Sequence, residues 1–402
     1  MQTRGEQMLA LRRARNAASP AILRGGFRPF FLGGALWAVV ALCIWIAALA
    51  GAMAVPSAFD ALAWHRHEML FGFVGAVITG FLLTAIPNWT GRLPIAGTPL
   101  AGLFALWLAA RLAVLFSASL GAAVAALLDV GFYVLLAAVA AREVLESKNR
   151  NLPIVGMVLL FGVANGLDHL AAAGVLPDPE LPWKLAVALV TILISLIGGR
   201  IVPSFTRNWL AKRGIRDGLP GQPGRFDLAV IGLTAFSLLA WISAPAGWLP
   251  GLLLALAAIV QAIRLARWKG WKAAADPLVL VLHVGYAWVP VGLGLLAASQ
   301  YGALPQAAAV HALTSGAMAT MILAVMTRAT LGHTGRELRA GPATTLIYLL
   351  VTVGALLRVG AVAWGGDYQL SLEIAGAAWA GAFLLFIAAY GPILFAPRVG
   401  ES

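Results

Sequence analysis

Long apolar stretches alternate with short polar breaks along almost the whole chain, and this pattern predicts its secondary structure. Most of the apolar stretches are about 20 residues long, the length that a helix needs to cross about 30 Å of hydrocarbon. The pattern therefore predicts an all-α, polytopic membrane protein with twelve transmembrane helices. The predicted spans are 29–53, 66–88, 98–117, 119–141, 152–175, 182–205, 226–246, 248–266, 277–299, 306–330, 343–364 and 371–396.

The charged residues between the spans predict how the chain is oriented in the membrane. With the N-terminus inside, most of the 28 Lys and Arg residues fall in cytoplasmic segments, whereas Asp60 and Glu180 fall outside. Short loops with this bias follow the positive-inside rule. We therefore expect cytoplasmic tails at 1–28 and 397–402 around a single transmembrane domain at 29–396. This distribution also accounts for the net charge of +12 without a nucleic-acid partner.

The second and tenth spans share one plan, which predicts an internal repeat. His67 lies 25 positions before Arg92, which ends a Thr-Gly-Arg sequence, and His311 lies 25 positions before Arg336, which ends another. The equal spacing predicts a parallel repeat in which helices 2 and 3 resemble helices 10 and 11. A weaker echo at the end of the sixth span, IVPSFTRNWL, leaves open an arrangement of three units of four helices.

The composition excludes several classes of protein and of site. Hydrophobic residues make up 61% of the chain and charged residues 11%, whereas about a quarter of a soluble protein is charged. The single cysteine, Cys43, excludes a disulfide framework and a metal site of the CxxC type. The sequence also lacks a P-loop and an HExxH motif. Any bound metal must therefore be held by histidine, carboxylate or methionine.

Ionisable residues collect near the predicted outer ends of several spans. The group comprises His65, His67, Glu68, Arg111, Asp168, His169, His311 and Arg358. Such residues usually face the interior of a helix bundle, and imidazole combined with carboxylate suits copper or iron. We therefore predict a metal or haem site here. The histidines are the candidate ligands, the arginines are candidate partners of haem propionates, and Glu68 and Asp168 are candidate catalytic proton relays.

The six histidines differ in how well a ligand role suits them. His67 and His311 are favoured because the repeat places them at equivalent positions. His65 suits a surface anchor as well as a metal ligand. His283 and His333, near the inner ends of their spans, are further candidate metal ligands. His283 could equally hydrogen-bond a neighbouring helix, and His333 could belong to a cytoplasmic turn.

Two charged residues within the spans have plainer interpretations. Arg111 follows Trp107 by four positions, which favours a cation–π contact within one helix. Asp129 lies four positions before Tyr133 and could bond its hydroxyl instead of moving protons. Both interpretations stay open at the level of the sequence.

Four segments of the chain carry a resemblance to a known family. They are GFRPFFLGGALWA (26–38), WHRHEMLFGFVGAVITGFLLTAIPNWTGR (64–92), GGRIVPSFTRNWL (198–210) and HALTSGAMATMILAVMTRATLGHTGR (311–336). They resemble the NnrS family of bacterial inner-membrane proteins. The resemblance implies a multi-pass protein with haem b and copper, linked to denitrification and to protection from nitrosative stress. The histidine-rich motifs of the family fall on His65, His67, His311 and His333, and Cys43 plays no part in them.

The leading functional hypothesis is a haem- and copper-containing membrane oxidoreductase that acts on nitric oxide. Nitric oxide is small and apolar, so it can reach a buried metal from the lipid bilayer, and its reduction needs an electron donor such as a quinol or a cytochrome. One alternative is a twelve-helix transporter of a metal or a metal–nitrosyl species, since carriers often contain internal repeats. Another is a protein that binds nitric oxide without turnover. The sequence leaves these three hypotheses open.

Overall fold

The computed structural model describes residues 18–149, 151–244, 247–362 and 368–400. Within these ranges the chain is built from helices and contains no strand. Twelve helices are long and apolar enough to cross a membrane, which confirms the predicted fold class. They are α1 Phe27–Leu49, α2 Ala61–Thr90, α3 Thr98–Leu115, α4 Ala122–Glu146, α5 Leu152–Ala172, α6 Leu181–Lys212, α7 Arg225–Ser243, α8 Trp248–Arg267, α9 Pro277–Gln300, α10 Gln306–His333, α11 Pro342–Gly360 and α12 Tyr368–Phe395. Most of the predicted N-terminal tail, and the last two residues of the C-terminal tail, lie outside the described residues.

The largest departure from the predicted spans is at the end of α6, which continues to Lys212 instead of ending at 205. The bounds of α4 also differ from the predicted 119–141. A short helix, Ser117–Leu120, precedes it and ends at Gly121, whose φ of 94° no other residue type adopts easily. At its other end α4 continues through Arg142 and Glu143, where the apolar pattern had stopped. Charged residues with long side chains are good helix formers, so a helix can continue beyond the apolar stretch. The resulting polar turn meets the segment after α2, since Arg92 Nε lies 2.5 Å from Glu143 Oε2.

The described chain forms two compact units. The first comprises Met1–Ala186, Ala329–Glu337 and Ile387–Ser402, and the second comprises Val187–Arg328 and Leu338–Phe386. In the first unit α4 packs between α3 and α5, and α1 packs against α2. In the second unit α8 packs between α7 and α9, and α9 packs against α10. These two units do not coincide with three successive groups of four helices.

The two helices that share a sequence plan also share an unusual backbone. In α2 a π-helical segment, Glu68–Val74, follows His67 directly. In α10 the corresponding segment, Ala312–Met318, follows His311 directly. π-Helical turns are rare and occur often at functional sites. The same widened turn at the same distance from a histidine supports the internal repeat.

A glycine sits at the equivalent place in each widened turn. A Cβ at Gly72 would lie 2.8 Å from the indole nitrogen of Trp37, and a Cβ at Gly316 would lie 2.5 Å from a ring carbon of Trp288. Only glycine therefore allows these indoles to approach the helix backbone so closely. Each π-helical segment is packed against a tryptophan of a neighbouring helix.

A buried cation, Arg264 on α8, links several helices of the second unit. Its Nε donates to Asp227 Oδ1 at 2.8 Å, and its Nη1 donates to the Tyr286 hydroxyl at 2.9 Å and to the Ser195 carbonyl oxygen at 2.9 Å. These partners lie on α7, α9 and α6. The guanidinium thus joins four helices, and its hydrogen bonds compensate for burying the charge.

Candidate metal centre

Six ionisable side chains meet at one end of the first unit, and we refer to them as the charged cluster. They are His67, Glu68, Arg111, Asp129, Asp168 and His169. Successive helices run in opposite directions, so the beginnings of α2 and α4 lie beside the ends of α3 and α5. Asp129 is the eighth residue of α4, which places it roughly 10 Å from the helix end. The charged cluster therefore lies below the surface, in the half of the first unit that contains the beginnings of α2 and α4 and the ends of α3 and α5.

The widened turn of α2 positions the first two members of the cluster. His67 and Glu68 are adjacent at its start, and both are fully buried. Neighbouring helices hold the turn through its carbonyl groups. Tyr133 on α4 donates to the Phe71 carbonyl oxygen at 2.5 Å, and Trp107 on α3 donates to the Gly72 carbonyl oxygen at 3.1 Å. These bonds fix the direction in which the imidazole and the carboxylate project.

The His67 imidazole lies between two carboxylates. Its Nε2 is 2.8 Å from Asp129 Oδ2, and its Nδ1 is 2.8 Å from Asp168 Oδ2. Ionised carboxylates only accept hydrogen bonds, so two such contacts need either a doubly protonated imidazole or a proton on one carboxyl group. The proton between Nε2 and Asp129 occupies the place where a metal ion would bind.

Asp129 is the acceptor on which the rest of the cluster converges. It accepts a hydrogen bond from Arg111 Nη2, one at 2.7 Å from Asn165 Nδ2, and one at 3.2 Å from His169 Nε2. Arg111 also donates to both oxygens of Glu68 at 3.0 Å. A continuous chain of charge-assisted bonds thus runs from Glu68 through Arg111 and Asp129 to His67.

The cluster contains more negative than positive charge. Three carboxylates face one guanidinium, which leaves two negative charges when both imidazoles are neutral. Uncompensated charge is costly inside a membrane protein, where the surroundings are apolar. A divalent cation, or protons on the histidines, would balance it. The charge composition of the site therefore favours binding a cation.

Three members of the cluster have the arrangement of a metal site. One ligand atom each from His67, Asp129 and His169 lie within 4.8 Å of one another, and all three residues are buried. Donors at about 2.0–2.1 Å from a metal are separated by roughly 2.9–3.4 Å. The contacts of 2.8 and 3.2 Å from Asp129 to the two histidines are close to these values.

The surroundings of these donors also suit a metal. Asp168 on Nδ1 of His67 would orient the ring, as second-shell carboxylates do in metal sites. Two buried polar atoms beside the donors, Asn165 Oδ1 and Arg111 Nε, make no hydrogen bond within the described structure. Two histidines with one carboxylate suit non-haem iron or copper. The residues present therefore fit a bound transition-metal ion.

The equivalent region of the second unit has a different chemistry. His311 Nδ1 donates to the Ala307 carbonyl oxygen at 2.8 Å, so in the neutral ring Nε2 is the free acceptor. Ala312 occupies the position that Glu68 has in α2. Arg358 lies close enough to interact electrostatically with His311, and its Nη1 is buried without a hydrogen-bond partner. This site offers one imidazole and one half-buried arginine, so it favours an anionic ligand group.

The match to a known family covers the whole transmembrane part of the chain. The family described as NnrS protein matches residues 21–398, which contain all twelve spanning helices. The chain belongs to the NnrS family. No curated protein sequence matches it. Membership of the NnrS family indicates a role in the nitric oxide response.

The histidines at which the NnrS motifs begin and end do not all reach the charged cluster. His65 stacks on Trp45, with ring centroids 4.7 Å apart and planes at 17°. His333 is exposed, with its ring 5.5 Å from that of Phe27. His283, which lies outside those motifs, contacts Thr206 Oγ1 through Nε2 at 2.8 Å. The structure brings five of the predicted site residues together in the charged cluster. They are His67, Glu68, Arg111, Asp168 and His169.

Sequence reasoning missed the central residue of the charged cluster, Asp129. It is an acidic residue inside an apolar span, which by itself signals function. Its distance of four positions from Tyr133 suggested a bond within α4. The Tyr133 hydroxyl instead donates to a carbonyl group of α2, and Asp129 faces the histidines. Contacts between helices decided its role, and a single sequence does not show them.

Proposed function

We propose that this protein is a bacterial inner-membrane nitric oxide reductase that holds copper in the charged cluster and haem b in the second unit. The observation that carries the proposal is the convergence of His67, Asp129 and His169. Of the metals that this donor set suits, copper and iron change oxidation state, whereas zinc does not. The resemblance to the NnrS family selects copper.

The packing around His67 and the charge near His311 support the assignment of haem to the second unit. Both ring nitrogens of His67 are hydrogen-bonded, and its ring lies 4.8 Å from Phe59, 5.1 Å from Phe71 and 5.0 Å from His169. No porphyrin fits against a ring packed in this way. His311 has a free Nε2, and the unpartnered Nη1 of Arg358 suits a propionate. Arg111 is already bonded to two carboxylates, so Arg358 is the better candidate for this role.

The proposed reaction combines two nitric oxide molecules, two electrons and two protons to give nitrous oxide and water. The electrons come from a quinol or a reduced cytochrome, and the bound metals supply the redox chemistry. Nitric oxide is small and uncharged, so it reaches a buried site from the bilayer without a polar channel. The work of the protein is therefore to hold the metals, to exclude water and to deliver protons.

Asp168 is better placed than Glu68 to deliver these protons. It is hydrogen-bonded to His67, and its side chain is 10% exposed at the end of the unit. A proton can therefore pass from solvent to the Asp168 carboxylate, which lies beside the metal-binding side chains. Glu68 is fully buried and bonded to Arg111 and to the Trp37 indole at 2.5 Å. We therefore assign the proton relay to Asp168 and a structural role to Glu68.

Nitric oxide consumption by the purified, metal-loaded and reduced protein tests the proposal. We expect continuous consumption with nitrous oxide formed, loss of this activity in His67→Ala, and retention in His65→Ala. His65 is a matched control because it lies two residues away on α2 but stacks on Trp45 outside the cluster.

Two other results would contradict nitric oxide reduction as the function of the protein. Uptake that saturates at one or two equivalents, without nitrous oxide, would identify a binding protein. Flux of a metal or metal–nitrosyl species in proteoliposomes, together with no resident metal, would identify a transporter.

A further inference from the structure

One aromatic ring covers both histidines of the charged cluster. Phe59 lies in the segment between α1 and α2, and its ring centroid is 4.8 Å from that of His67 and 5.3 Å from that of His169. The side chain is only 5% exposed although it comes from a connecting segment. The ring therefore separates the two imidazoles from the end of the unit at which this segment lies.

The segment that carries Phe59 is fixed by hydrogen bonds. The Ser57 hydroxyl donates to the Val114 carbonyl oxygen at 2.8 Å, and the Ala58 backbone N–H donates to the Ser117 hydroxyl at 2.8 Å. On the other side, the Asp60 carboxylate caps α2 by accepting two backbone N–H groups at 2.9 and 3.0 Å. Residues on both sides of Phe59 are anchored, so the ring is held in place.

Other side chains also pack around His67 within the described structure. Asp129 and Asp168 cover its two ring nitrogens, and Phe71 packs against the ring at 5.1 Å. His169 and Asp168 each retain about 8% exposure, whereas His67 has none. A molecule that approaches the two imidazoles from the side of the segment between α1 and α2 therefore meets the Phe59 ring.

We propose that Phe59 is a fixed apolar plug that determines which molecules reach the charged cluster. This inference rests on the proposed function in one respect only, that nitric oxide is the molecule admitted. A small uncharged molecule can pass an apolar ring through minor packing fluctuations. A hydrated anion or a molecule as large as imidazole cannot, because the ring offers no hydrogen bond in place of the lost water. Phe59 is thus a specificity-determining residue that does not itself ligate the metal.

Histidine acylation by diethyl pyrocarbonate on the metal-free protein tests the plug directly. In Phe59→Ala we expect His169 to be acylated about tenfold faster or more, because cavities left by large-to-small changes admit small organic molecules. Phe161→Ala is the matched control, since Phe161 packs on Phe71 at 5.0 Å rather than on either imidazole. Phe59→Leu should restore protection, and Phe59→Val, with its smaller side chain, serves in place of the alanine variant if that variant does not fold. Equal acylation of His169 in the wild type and in Phe59→Ala or Phe59→Val, or an equal increase in Phe161→Ala, would overturn the proposal.

Azide binding to the copper-loaded protein separates this inference from the proposed function. We expect no azide charge-transfer band in the wild type and a band in Phe59→Ala. A wild type that binds azide as readily as the variant would overturn the plug. If neither protein retains copper, the proposed metal site is wrong, and the acylation result still decides the role of Phe59.

Discussion

Replacing Asp129 with alanine removes the acceptor on which the charged cluster converges. The change takes a hydrogen-bond partner from Arg111, His67, His169 and Asn165 at once. Removing one partner of a buried ion pair costs about 3–5 kcal/mol. Arg111 keeps its bonds to Glu68, so we expect a loss near the lower end, about 3 kcal/mol of unfolding free energy.

Thermal unfolding in detergent, followed by tryptophan fluorescence, measures this loss. A change of 1 kcal/mol shifts Tm by about 2–4 °C in a unit of roughly 150–250 residues, so we expect Tm to fall by about 6–12 °C. Asp217→Ala is the control, because Asp217 is exposed and surface changes usually stay within about 0.5 kcal/mol. Asp129→Asn keeps the shape of the side chain and one acceptor oxygen, so its Tm should lie between those of Asp129→Ala and Asp217→Ala. If Asp129→Ala melts at the same temperature as the control, Asp129 does not organise the cluster.

Three further changes test separate parts of the account. Asp168→Asn should lower copper affinity about 10–100-fold, because Asp168 orients the His67 ring, and an unchanged affinity in a competition titration would exclude that role. Arg358→Gln should remove the haem absorbance and leave the copper content unchanged, and loss of both metals would contradict two separate sites. Cys43→Ser should change neither copper content nor nitric oxide consumption, since Cys43 is exposed on α1, and a reduced copper content would show that a ligand has been overlooked.

The twelve helices could be predicted from the sequence because the bilayer imposes a simple rule. Backbone polar groups must be satisfied within each span, so every crossing leaves an apolar stretch of recognisable length. The end of α6 was the least accurate boundary, seven residues beyond the predicted 205. Arg142 and Glu143 likewise continue α4 beyond its apolar part. Hydropathy reports where a chain leaves the hydrocarbon, whereas helix ends depend on capping and on neighbours.

The candidate site could be predicted only in part. The positions of His67 and His169 near helix ends, with Glu68 and Asp168 beside them, placed several ionisable groups at one depth. The sequence did not show that Asp129 would be the partner of His67, or that His65 would stack on Trp45 outside the cluster. Which faces of two helices meet depends on their rotation and on the widened turn in α2, and a π-helical turn leaves no clear mark in composition.

The predicted repeat concerns two helices that share a backbone feature and differ in chemistry. His67 and His311 both precede a π-helical segment, which their equal spacing did not predict. Glu68 in one copy is matched by Ala312 in the other, so only the first copy carries a carboxylate at this point. Equivalent positions can therefore serve two different ligands, a cation in the first unit and an anionic group in the second.

The electron paramagnetic resonance spectrum of the copper-loaded protein tests the central claim most directly. The account predicts one Cu(II) per chain with hyperfine coupling to the nitrogens of two imidazoles, which are His67 and His169. His169→Ala should reduce the pattern to that of one imidazole nitrogen, and His65→Ala should leave it unchanged. A spectrum without nitrogen coupling, or one that His169→Ala does not alter, would contradict a metal site in the charged cluster.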